Sequence, residues 1–170
     1  CVQPVLWSQQ DTVKTAPYNC ESFGGVEEAL KVYLEAEMQG YRLEAGTRER
    51  TQYCFMSDDV AAWDLIRVIE PFSFDKCKEK KKGPHCYKLR YGVLGEVYSS
   101  QEFKKNDSVK YEEIEIKIIF KEAKWHLSGW KDIPPLVTKA GVLRFAETQR
   151  KSHSNKKWIE SLIKHMETLK

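Results

Sequence analysis

The chain reads as an α+β domain on the strength of three patterns. A helical apolar period opens at VEEALKVYLEAEMQG. Two-residue alternation dominates the middle, from Tyr87 to Phe120. Helical stretches return after Pro134-Pro135. A helix-first chain, a twisted antiparallel sheet of long hairpins and a short Trp-containing strand closing it make up such a domain.

Each element has its own signal. Residues 2–19, VQPVLWSQQDTVKTAPYN, are polar and without periodicity, so 1–20 is expected to be a flexible tether. Ser22 or a following glycine caps the first helix, with Glu27 and Glu28 near its positive end. Val26, Ala29, Leu30, Tyr33 and Met38 fall near one face, and Gly40 ends the helix. The stretch YRLEAGTRERTQYCF is expected to be irregular or strand-like around Cys54. Asp58 or Asp59 can cap a turn through Ala61 and Ala62. The β-branched residues from Leu65 onward then predict a strand over 64–76.

The segment CYKLRYGVLGEVYSS sets Tyr87, Leu89, Tyr91 and Val93 against Lys88 and Arg90. VKYEEIEIKIIF places Ile114, Ile116, Ile118 and Phe120 on one face, with Glu113, Glu115, Lys117 and Ile119 on the other. Lys121 to Lys124 form the turn, and WHLSGW returns. Pro134 and Pro135 break the sheet. A helix over 137–148, a basic link TQRKSHSN and a last helix follow. In that last helix Trp158, Ile159, Leu162, Ile163, Met166 and Leu169 make one apolar stripe, expected to pack on the open face and cover the sheet. The alternative is a docking surface of Trp158, Ile159, Leu162 and Met166 for a partner helix or groove. The domain proper is thus 21–133, with 134–170 a helical extension packed on it.

Composition narrows the classes. The 170 residues carry a net charge of +3, so long-range attraction to nucleic acid is not a global property. Five Trp, eight Tyr and seven Phe are too many for a disordered chain. No run approaches the 18 or so apolar residues needed to span a bilayer.

Five cysteines stand at 1, 20, 54, 77 and 86. Setting Cys1 aside leaves four, which allow three pairings. The stretch CKEKKKGPHC favours one, because the Gly83-Pro84 turn lets Cys77 face Cys86 across a hairpin. Cys20 then pairs with Cys54. No spacing is a CxxC pair and no two histidines show ligand spacing, so neither a metal nor a cofactor is expected. Five free thiols in a cytosolic interaction domain are the alternative.

Two resemblances add to this reading. The opening helix, followed by YKLRYGVLGEV, VKYEEIEIKIIF and KWHLSGW, resembles the NTF2-like (cystatin-like cone) superfamily over residues 22–131. Lys124-Trp125 stand where KW starts the last strand in such proteins. The resemblance implies a cone whose cavity Trp63, Tyr91, Tyr111 and Trp125 would line. Separately, a chain starting at cysteine and continuing into a polar tether resembles a mature bacterial lipoprotein. That implies acylation of Cys1, an anchor in membrane lipid, and a place in the cell envelope, either on the outer membrane facing the periplasm or at the cell surface.

Some cone relatives move a proton next to a carbonyl, which needs a carboxylate base and a hydrogen-bond donor. Asp58, Asp59 or Asp64 would be the base here, and Tyr91, Tyr111 or His126 the donor. The motifs of hydrolases, metalloproteases and phosphate-binding loops are absent. Lys78, Lys80, Lys81 and Lys82 at the hairpin tip suit an acidic contact. The expected function is therefore a non-catalytic, disulfide-stapled envelope lipoprotein acting by binding a protein partner, a toxin that it neutralises included. A small-molecule binder or isomerase-like protein using the cone cavity is the alternative.

Overall fold

The computed structural model describes residues 20–43, 53–58, 64–78, 83–151 and 155–169. Residues 1–19 of the expected tether, Trp63, Asp59 and Lys80 to Lys82 lie outside them, while Cys20, expected to end the tether, is buried and disulfide-bonded in the domain. Three α-helices and seven strands are described: α1 Val26–Met38, β1 Phe55–Ser57, β2 Leu65–Ile69, β3 Ser73–Lys76, β4 His85–Tyr98, β5 Phe103–Lys121, β6 Lys124–Ser128, β7 Leu136–Thr138, α2 Lys139–Lys151 and α3 Lys156–Thr168. The strands form one curled, half-barrel mixed sheet in the order β1-β6-β5-β4-β2-β7, with β3 also paired to β4. The fold is α+β, as the alternation and helical periods require.

The long β4–β5 hairpin is the spine. Tyr87, Leu89, Tyr91 and Val93 of β4 are all buried, as are Ile116 and Ile118 of β5. Strand β6 returns from β5 through Glu122-Ala123, both at positive φ. At the sheet's outer parts β1 runs parallel to β6 and β7 parallel to β2.

Successive residues of a strand face opposite sides of a sheet, and here both sides are covered near β2. Ile69 and Leu136 join the core beneath α1, together with Leu30, Tyr33, Leu89, Ile116 and Trp130. Their neighbours Val68 and Val137 join a second core beneath α2 and α3, with Val142, Ala146, Ile159, Leu162 and Met166. The α3 stripe does cover the sheet, on the side opposite α1. Because Ile159, Leu162, Met166 and Leu169 are buried there, the stripe is already occupied within the chain.

Two glycines permit this packing. Gly40 takes φ 83° just past α1, a conformation that costs a side-chain-bearing residue. Gly141 brings α2 against the end of α1, where a Cβ would stand 2.3 Å from the Met38 carbonyl oxygen.

Two expectations need correction. The strand expected over 64–76 is two strands, because Pro71 has no N–H for the ladder and the register shifts at Ile69. Both halves pair with β4, at Val93 to Tyr98 and at Tyr87 to Arg90. The helix expected from 137 starts at Lys139, since Leu136–Thr138 form β7. Of the two caps expected for the first helix, Ser22 or a following glycine, it is the glycine, Gly25, that stands there, without a side-chain bond.

Candidate functional site

The most buried charges belong to a cluster at the C-terminal end of α1. Leu30, Tyr33 and Glu37 share one helical face, so Glu37 is carried into the core. The turn after Gly40 brings Arg42 back onto it, with Nε donating to both Glu37 oxygens at 3.1 and 2.9 Å. Arg42 also donates to the carbonyls of Ile133 and Pro134, at 2.9 and 3.0 Å. The Leu136 N–H donates to Glu37 at 2.8 Å. Trp130 lies under the guanidinium at 5.4 Å, and the Tyr41 hydroxyl donates to Tyr33 at 2.6 Å. Burial alone would lower the Arg42 pKa. The charge and hydrogen bonds of Glu37 more than offset this and hold it above its ordinary value. The cluster ties α1 to the proline loop and to β7, and its bonds are made within the chain.

A second cluster lies on the same face of the sheet, further along β2 and β4. The register pairs Arg67 with Glu96 and Tyr91 with Glu112. Arg67 Nη1 donates to Glu112 at 2.5 Å, and the Tyr91 hydroxyl donates to the same oxygen at 3.1 Å. Tyr98 donates to Glu96 at 2.6 Å. Arg67 Nε approaches Glu96 at 3.7 Å, within ionic range, but is buried without a hydrogen-bond partner among the described residues. Arg67 retains 24% side-chain exposure, so this cluster meets solvent. Burial, and next the Glu112 charge, push the Tyr91 pKa up to about 12. Glu112 is thus bound by a guanidinium and a phenol, which makes an ionic clamp.

Of the expected pocket residues that are described, Tyr91 and Trp125 join the same core and Tyr111 does not. Tyr91 is buried, with its ring edge-on to Phe72 at 5.6 Å. Trp125 packs on Phe120 at the β6 side and donates from Nε1 to the Cys20 carbonyl at 2.8 Å. Tyr111 pairs with Gly92, points to the opposite face and is 75% exposed. Trp63 lies outside the described residues.

The candidate bases fare differently from one another. The Asp58 oxygens accept from the Gly129 and Trp130 N–H groups at 2.9 and 2.8 Å, tying β1 to the loop after β6, and the turn through Ala61 and Ala62 lies outside the described residues. Asp64 is exposed at the start of β2, while His126 is half-buried on β6 with its side chain opposite the α1 core. Arg67, Glu96 and Glu112 were not among the sequence candidates. Extending the Ile118–Ile116–Ile114 phase two residues back reaches Glu112, so that signal was available.

Both expected disulfides are formed. Cys20–Cys54 is buried beside Trp125. Cys77–Cys86 is half-buried at the hairpin, where Lys76, Lys78 and Lys88 are exposed. Glu115 lies close to this second pair, yet both sulfurs are used by the disulfide and supply no thiolate to a metal. Among the described residues no helix is long and apolar enough to cross a membrane.

No family model, curated protein or solved structure matches this chain.

Proposed function

We propose that this chain is a non-catalytic binding protein of an oxidising envelope compartment, with a cone-like fold of NTF2 type. The observation that carries the reading is the state of the concave face. Tyr33, Tyr91 and Trp130 fill it beneath α1, and its carboxylate Glu112 is bound by Arg67 and Tyr91. Proton transfer would need a carboxylate free to accept, whereas Glu112 already takes bonds from Arg67 and Tyr91. Two disulfides support the compartment, because such bonds persist where thiols are not kept reduced. The helix-first order and the curled sheet of long hairpins support the cone-like assignment. A toxin neutralised by this chain would be one such protein partner.

The test is purification of the tagged full chain from the cells that make it, under mild detergent. The expected result is a single protein partner retained in fixed stoichiometry. Recovery of the chain without protein but with a bound small apolar molecule would favour the cavity reading instead. Acylation of Cys1 lies outside the described residues. Peptide mass spectrometry on the same preparation checks it.

A further inference from the structure

A groove runs between α1 and β3. Two adjoining depressions form it, of about 320 and 170 Å³, and they share Glu35 and Met38. Leu34, Phe72, Phe74 and Ala140 supply most of the remaining apolar lining.

The strand bordering this groove is paired on one side only among the described residues. β3 bonds to β4, while β7, which borders β2, ends at Thr138 where the chain turns into α2. The Cys77 N–H donates to the Cys86 carbonyl at 2.9 Å, which sets the phase of the antiparallel ladder. Every second residue then bonds to β4, and Phe74 directs its N–H and C=O to the opposite edge. An open strand edge beside an apolar groove is the geometry that accepts an added strand.

We propose that this edge and groove receive one extended peptide segment of a partner protein, added to β3 as a further strand. The inference rests on the binding-protein reading and specifies where and how the partner is held. Backbone bonds to Phe74 fix the segment. Its alternate side chains enter the groove against Phe74 and Met38, and the others face solvent. Charge sets the rest of its chemistry. Lys78 is exposed just beyond the end of β3, and Lys80 to Lys82 follow in sequence. The segment therefore carries Asp or Glu at the end lying toward Lys78.

A library of random dodecapeptides displayed on phage, selected on the full, oxidised chain, tests this. The expected peptides alternate apolar residues at every second position and carry acidic residues toward one end. Their binding slows amide exchange at Phe74 by at least about tenfold. Ala140→Trp, at an exposed groove position, weakens them by at least about tenfold while leaving thermal unfolding unchanged. Binders that leave Phe74 exchange unaltered, or that bind Ala140→Trp as well as the parent, overturn the proposal. So does a selection that yields no binder. In each of these cases the binding-protein reading stands if a protein still co-purifies from native cells, and falls if none does.

Discussion

The two arginine–glutamate clusters on the α1 face of the sheet use the same chemistry to different ends. Around Arg42 the guanidinium, carboxylate and carbonyls bond to one another in a solvent-free set over the Trp130 ring, whose Nε1 has no partner among the described residues. Around Arg67 two carboxylates compete for one guanidinium, one nitrogen is left without a bond, and solvent reaches the edge. The difference follows from position. Glu37 sits on the helix face pressed into the core, whereas Arg67, Glu96 and Glu112 sit where that helix no longer covers the sheet. Desolvation makes a buried pair expensive to break, and solvent screens a half-open one.

Removing one partner from each cluster should therefore give unequal losses. Arg42→Ala leaves Glu37 buried and uncompensated, and is expected to cost about 3–5 kcal/mol in urea unfolding. Arg67→Ala is expected to cost about 1 kcal/mol or less. Equal losses would mean that burial is not what separates the clusters.

The disulfides repeat the contrast with loop length added. Opening Cys20–Cys54 with either serine variant should cost about 3.8 kcal/mol, against about 2.7 kcal/mol for Cys77–Cys86. Within each pair the double variant should lose no more than the single. Additive losses would show that the cysteines act apart from their bond.

Alkaline titration sharpens the comparison between clusters. Tyr33, in the closed cluster, is held well above its ordinary pKa by burial first and then by Tyr41 and Glu37. Tyr91, in the open one, is pushed up to about 12. Both folded values exceed the unfolded value near 10. The stability these groups contribute is thus fully present below pH 10 and is lost as pH rises through their folded values. Phenolate absorbance should show Tyr91 ionising before Tyr33, and Tyr91→Phe should remove the earlier step. The smallest effect concerns the β5–β6 turn. Glu122 and Ala123 hold φ of 54° and 59°, so the Asn-Gly replacement should raise stability by up to about 1 kcal/mol, read from the melting temperature.

How far the molecule was legible depended on whether burial left a pattern. The β4 and β5 faces were readable because every second residue enters the core. Strand β7 was not, since three residues after two prolines are too short to show a period, and parallel pairing with β2 is a long-range event. Glu37 could have been noticed as a charge on the apolar face of α1, three and seven residues beyond Leu34 and Leu30. Its partner Arg42 becomes visible only once the chain turns at Gly40. Tyr111 was a poor pocket candidate on its own phase, being one residue out of step with Glu112 and Ile114. The groove beside β3 has no sequence signature, because α1, α2 and β3 meet there only in the fold.

The most direct measurement places a photo-crosslinking amino acid in turn at Ala140, Tyr111 and Tyr98 of the full chain, in the cells that produce it. These positions report the groove, the exposed outer face and the edge of the open cluster. A protein adduct from Ala140, absent or far weaker at the other two, is the expected result. Adducts only of small-molecule mass, formed at Tyr98 alone, would contradict the account and return the function to the concave face.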